Sequence, residues 1–195
     1  MRRTSAEPPT EEIPVVLASP RNASNDDASV SEFAAFYRRD HARIERALVL
    51  ALGNLEVGRD ATAEGFTRAL LKWRRVGSLE NPAGWVYRTG LNWARSRWRR
   101  RRREVSPEEY LRQQPAHPDD EATLVVDDVL VADMLATLSV DHRAVLIARF
   151  YLGWSEAQIA RALDVAPGTV KSRSARARAE LAALLQGTGS EEDER

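Results

Sequence analysis

Near the C-terminus, the stretch PGTVKSRSARARAEL gathers side chains suited to reading nucleic acid. Wound as a helix, it puts Val170, Ala177 and Leu181 on one face at steps of seven and four. Thr169, Ser172 and Arg176 then point largely away from that face, with Lys171 and Arg173 at its flanks. Arginine, lysine and hydroxyl groups presented this way reach guanine edges in the major groove and the adjoining phosphates. The positive end of the helix adds a further attraction for phosphate. A solvated basic face on an ordinary bundle has the same composition, and the residues that precede it separate the two readings.

A second set lies upstream, where Trp85, Trp93 and Trp98 interleave with Arg88, Arg95, Arg97, Arg99 and Arg100 before a run of five arginines ends. An unstacked base recovers about 1–3 kcal/mol by stacking on an aromatic ring, so rings beside arginines suit single-stranded DNA. Duplex binding would need the charge alone. Two apolar stripes, Val86-Gly90-Trp93 and Tyr87-Leu91-Ala94-Trp98, show that some of these rings belong to a core. Whether all three indoles are core, with the arginines merely tracking phosphates, stays open on the residues.

The elements that carry these sets are all helical. FAAFYRRDHARIERALVLAL places Phe33, Phe36 or Tyr37, Ile44, Leu48 and Leu52 at three- and four-residue steps. Gly53 and Gly58 bracket a predicted loop, and ATAEGFTRALLKW repeats the period with Ala63, Phe66, Leu70 and Trp73. Asn81-Pro82 opens the Trp/Arg helix, with Asn as cap and Pro in the first turn. Further on, VDDVLVADMLATL and DHRAVLIARFYLG read as helices, with Gly153 as a stop. Ser155 to Gln158 forms a capping box for the short helix SEAQIARAL. A three-residue turn, Asp164-Val165-Ala166, then leads to Pro167 and the basic helix. Two helices so joined, the second rich in Arg, Ser and Thr, describe a helix-turn-helix. Small Ala160 allows close approach, while Ile159, Leu163 and Val165 supply its core. No segment alternates with period two, so the chain reads as all-α.

The net charge of zero hides a segregation. Residues 32–103 hold 17 Arg and Lys against 7 Asp and Glu, residues 104–141 hold 1 against 10, and residues 142–186 hold 7 against 3. Two basic blocks separated by an acidic connector suggest two surfaces for one polyanion. Residues 1–30, rich in Pro, Ser, Asn and acids, read as a disordered extension. Residues 31–103 read as a first helical domain, 104–126 as an acidic flexible linker, 127–187 as a second small domain, and 188–195 as an acidic tail. With no cysteine, disulfides and thiolate metal sites are excluded, and His41, His117 and His142 lack ligand spacing. No metal and no cofactor is expected. No apolar run follows the N-terminal arginines or is long enough to span a bilayer, which predicts a soluble, cytoplasmic protein.

Three stretches resemble the group 4, or extracytoplasmic-function, sigma factors of bacterial RNA polymerase. GRDATAEGFTRALLKW is similar to the helix with which those factors grip the polymerase, NPAGWVYRTGLNWARSRWRR to their promoter-melting helix, and LSVDHRAVLIARFYLGWSEAQIARALDVAPGTVKSRSARARAEL to the domain that reads the upstream promoter element. Most specific is GTVKSR, and the set covers about residues 31–103 and 129–186 in the family's order. The resemblance implies polymerase contacts from Asp60, Glu64, Phe66, Arg68 and Trp73. It implies recognition and melting of the downstream element by Trp85, Arg88, Asn92, Arg95, Trp98, Arg99 and Arg100. Thr169, Lys171, Ser172, Arg173 and Arg176 would read the upstream element. Partners implied are core RNA polymerase, promoter DNA as duplex and as non-template single strand, and an anti-sigma factor, with no catalysis and no membrane insertion. The chain departs from the family pattern at Ala63 (usually Gln), Ser96 (commonly Asp) and Ser174 (normally Leu).

Two other readings differ in kind. A stand-alone helix-turn-helix regulator would bind a palindromic operator without polymerase, but the strongly basic N-terminal half has no ligand-pocket signature. A helical enzyme acting on nucleic acid would need a carboxylate pair, a His–Asp set, a phosphate loop or a metal cluster, and none is present in the sequence.

Overall fold

The computed structural model describes residues 20–104 and 129–189. Residues 105–126 of the expected acidic linker and the last six residues of the tail lie outside them, while Glu104 ends α4. Among the described residues the chain is helical, in the order α1 (Pro20–Leu52), α2 (Leu55–Leu71), α3 (Trp73–Val76), α4 (Pro82–Glu104), α5 (Val129–Thr137), α6 (Val140–Leu146), α7 (Glu156–Leu163) and α8 (Pro167–Gly189). A π-turn, Ile147–Tyr151, continues α6.

Helix α1 begins well before the change of texture at Glu32, so part of the segment predicted to be disordered is helical. Its Asn, Asp and Ser residues are weak helix formers. Extending an existing helix, however, adds one hydrogen bond per residue fixed and needs no new nucleus. The buried face of α1 is Phe36, Ile44, Ala47, Leu48, Ala51 and Leu52.

The loop predicted between Gly53 and Gly58 shrinks to two residues. Gly53, at φ +67°, ends α1, and Asn54 caps α2 by accepting from the Val57 N–H at 2.8 Å. Gly58 sits inside α2 because α1 presses on it: a Cβ there would lie 2.5 Å from Val49 Cγ2 and 2.6 Å from Val49 Cα. The buried face of α2 is therefore Leu55, Gly58, Ala61, Thr62, Gly65, Phe66 and Ala69. Ala63 and Leu70, which the predicted period placed inside, face solvent.

In the second half, Ser155 and Gln158 form the expected reciprocal cap: the Ser155 N–H donates to Gln158 Oε1 at 2.8 Å and the Gln158 N–H to Ser155 Oγ at 3.2 Å. Asp164 closes α7 in the left-handed region, at φ 56°, and Gly153 is left-handed at φ +70°. Val170 and Ala177 are buried, Leu181 is half-buried, and Ala177 packs with Leu138 and Leu146. Ser174, where the family pattern has Leu, is half-buried on that side.

The core does not stop at the boundary between the two halves. One cluster of buried residues runs from Ile44 and Leu48 through Tyr87 and Leu91 to Val145, Trp154, Ile159 and Val170. Among the described residues, no helix is long and apolar enough to cross a membrane, and no group of His, Cys, Asp or Glu could hold a metal ion.

Candidate nucleic-acid interface

Helix α4 is positioned by its cap, where the Gly84 N–H donates to Asn81 Oδ1 at 2.8 Å. It is also positioned by a fully buried stripe, Val86, Tyr87, Leu91 and Ala94, laid against α1 and α2. This stripe fixes what the other faces can offer. Trp85, Trp93 and Trp98 are all half-buried and pack against the core, so each indole has one part inside and one part reachable. Neither extreme of the sequence reading describes them. Asn92, Arg99 and Arg100 are exposed. Ser96 donates its hydroxyl to the Asn92 carbonyl at 2.8 Å and accepts from Arg99 at 3.1 Å.

Three further arginines of α4, Arg88, Arg95 and Arg97, are held by carboxylates. Arg88 meets Asp164 at 2.7 Å, Arg95 meets Asp141, and Arg97 lies 3.6 Å from Asp60 while its guanidinium covers the Trp93 ring at 5.4 Å. On α8, Lys171, Ser172 and Arg176 are exposed, and Thr169 is half-buried. Arg173 is half-buried and pairs with Asp141 at 2.7 Å. The outward face opposite Val170 thus carries the residues that the helical spacing placed there.

The residues expected to grip a polymerase divide in two. Asp60, Glu64 and Arg68 lie on the outer side of α2, with Arg68 paired to Glu64 at 2.6 Å. Phe66 and Trp73 do not lie on that outer side. Trp73 stacks on Phe36 at 4.9 Å, Phe33 meets it edge-on at 5.2 Å, and Phe66 lies 5.5 Å from Phe36. Both side chains are buried and hold α2 and α3 on α1. The apolar surface on this side is instead Leu70 and Leu71, the latter 78% exposed.

Where the halves meet, the Tyr87 hydroxyl donates to the Ala144 carbonyl at 3.2 Å, and Arg43 donates to the Leu152 carbonyl at 2.7 Å. Burial pushes the Tyr87 phenol far above its ordinary range, against the smaller opposing pull of Arg95 and Arg143, so it stays a donor. Arg143 is itself buried beneath the end of α1, and a Cβ at Gly53 would come within 2.5 Å of its guanidinium. Burial lowers the Arg143 pKa, and its Nε has no hydrogen-bond partner among the described residues.

Residues 128–181 match the family described as Sigma-70, region 4. The ECF RNA polymerase sigma factor SigL of Mycobacterium tuberculosis is 33% identical over 165 residues, which span 83% of this chain and 93% of the relative. SigM of the same organism is 35% identical over 157 residues, spanning 78% of this chain and 76% of the relative. Among solved structures, the sigma factor RpoE in its complex with the anti-sigma factor NepR, from Bartonella quintana, shares the fold with a TM-score of 0.58 at 22% identity, over 79% of this chain and 96% of that one. With likeness to SigL extending over so much of both chains, this protein belongs to the family of ECF RNA polymerase sigma factors.

Proposed function

We propose that this chain binds core RNA polymerase and gives it promoter specificity, reading an upstream (−35) element as duplex and a downstream (−10) element as it opens. The observation that carries the reading is the pairing of two unlike basic faces on one chain. Helix α8 exposes Lys171, Ser172 and Arg176 opposite buried Val170 and Ala177, a groove-reading arrangement. Helix α4 sets three half-buried indoles among arginines, an arrangement suited to unpaired bases.

In this reading Thr169, Lys171, Ser172, Arg173 and Arg176 contact the upstream element. Trp85, Arg88, Asn92, Arg95, Trp98, Arg99 and Arg100 take the non-template strand of the downstream element. Holding a base out of the stack offsets the few kcal/mol spent on unstacking it, so strand opening is driven by binding and needs no nucleotide hydrolysis by this chain. Asp60, Glu64 and Arg68, extended by Leu70 and Leu71, form the polymerase-docking side of α2. Residues 31–103 and 127–187 act as the two promoter-reading domains, with 104–126 as an acidic tether that avoids duplex DNA. The chain is not an enzyme, needs no cofactor, and works in the cytoplasm. An anti-sigma factor is a further partner, as the complex of the structural relative suggests.

The test is transcription in vitro from sheared genomic DNA of the source organism, with transcript 5′ ends sequenced. Core polymerase with this protein should start at a discrete set of sites sharing two upstream elements. Initiation indistinguishable from core enzyme alone would overturn the proposal.

A further inference from the structure

Three side chains of the proposed single-strand face of α4 share one ridge with a fourth residue that has no role there yet. Asn92, Arg95, Ser96 and Arg99 follow one another at helical steps that bring them to the same side of the helix. Asn92 and Arg99 are exposed, and Ser96 is half-buried between them. The Ser96 hydroxyl donates to the Asn92 carbonyl one turn back, at 2.8 Å, which fixes where its oxygen can accept. Arg99 donates to that oxygen at 3.1 Å, and Arg95 reaches Asn92 Oδ1 in a longer contact of 3.4 Å. A hydroxyl whose proton is already engaged accepts more strongly, because hydrogen bonds in a chain polarise one another.

The charge on Arg99 is left unspent. Among the described residues no carboxylate meets it, whereas Arg88, Arg95 and Arg97 each face one. An arginine loose in solvent samples many rotamers, and binding has to freeze them at a cost. The Ser96 hydroxyl removes part of that freedom and occupies only one of the five N–H groups a guanidinium carries. An aspartate at this position, common in the family pattern, would instead hold Arg99 in an ion pair. It would also set a negative charge on the face that a phosphate must approach.

We propose that Ser96 is a positioning residue for capture of the downstream strand: it aims Arg99 back along the ridge toward Asn92 and, being uncharged, leaves that guanidinium to the nucleic acid. This rests on the reading of α4 as the single-strand face. Ser96 itself need touch no DNA. It acts through Arg99.

The test uses core polymerase reconstituted with the full chain and a promoter found in the transcription assay, supplied as a fork with its downstream element already unpaired. Ser96→Ala should weaken binding of that fork about five-fold, the worth of one ordinary hydrogen bond. Ser96→Thr keeps the hydroxyl and should restore binding. Arg99→Ala and Ser96→Ala/Arg99→Ala should bind alike, since nothing is left to position once Arg99 is gone. Ser96→Asp should bind about ten-fold more weakly and flatten the dependence of log affinity on log salt by about 0.7, the single-strand value for one phosphate contact. Losses that multiply in the double variant, or a Ser96→Asp slope equal to wild type, would overturn the positioning role. A wild-type complex that starts at no discrete sites sinks the proposed function and this inference with it. Variants that match wild type in a complex that does start there sink this inference alone.

Discussion

The hydroxyl of Tyr87 on α4 donates to the carbonyl oxygen of Ala144 on α6, joining residues 57 apart across the seam between the two halves. Tyr87 is fully buried, and its ring also meets Trp154 edge-on. One side chain thereby couples the helix proposed to capture single strand to the module proposed to read duplex. Tyr87→Phe keeps the ring and removes only the donor, and the Ala144 carbonyl retains its helical partner, the Ile147 N–H. The substitution should cost about 1 kcal/mol in urea unfolding. In a Glu80→Cys/Arg161→Cys background, whose native side chains pair at 2.8 Å across the seam of a chain without cysteine, it should also lower the yield with which a short bis-maleimide joins the two positions. Unchanged stability and unchanged yield would show that the bond does not couple the halves.

Arg176 is exposed on α8, one helical turn beyond Ser172. Replacing it with Ala should weaken binding of the polymerase complex to its promoter by about 1–3 kcal/mol and relax sequence preference at one position, if it contacts a base edge. Lys171→Ala should instead weaken binding uniformly across sequences, as loss of a phosphate contact does. Competition binding against single-base variants of the upstream element separates the two. A uniform loss for Arg176→Ala would assign it to the phosphates.

The local half of this architecture is legible in the residues. Asn81-Pro82, the Ser155/Gln158 box and Asp164-Val165-Ala166 each satisfy nearby backbone groups, so their chemistry is written within a few positions and reappears in the structure. What failed depends on partners distant in sequence. Gly58 signals a turn by composition, yet it lies in α2 because Val49 leaves no room for a side chain. The helical period that placed Ala63, Phe66, Leu70 and Trp73 inside holds for Phe66 and Trp73, which pack on Phe33 and Phe36 of α1, and fails for Ala63 and Leu70, which face solvent. The acidic block around Asp141 was legible as charge that must not compete for DNA. That Asp141 would itself sit on Arg95 and Arg173 was not, because charge alone does not name a partner 46 residues away.

Trp98 tests the melting role. Its indole is half-buried and packed on the core, so Trp98→Ala should lose some stability as well as a stacking surface. Trp98→Phe keeps an aromatic face and separates the two effects. Open-complex formation, read by permanganate reactivity of promoter thymines, should fall sharply in Trp98→Ala and recover substantially in Trp98→Phe, while duplex binding changes little in either. Reactivity as strong in Trp98→Ala as in wild type would remove this residue from strand capture.

Leu71 separates docking from folding. At 78% exposed it contributes little to the core, and surface substitutions away from structural features usually change stability by no more than about 0.5 kcal/mol. Leu71→Glu should therefore unfold at nearly the wild-type urea midpoint. If α2 docks through Leu70 and Leu71, burying that carboxylate without a partner should weaken association with core polymerase by at least about ten-fold, since an uncompensated charge in an apolar contact costs several kcal/mol. Phe66→Ala should behave in the opposite way, because removing a buried phenylalanine costs about 3–5 kcal/mol of folding stability. Its binding defect should then track the unfolded fraction and shrink as temperature is lowered from the unfolding transition. A Leu71→Glu variant that binds polymerase as tightly as wild type would move the docking surface off this end of α2.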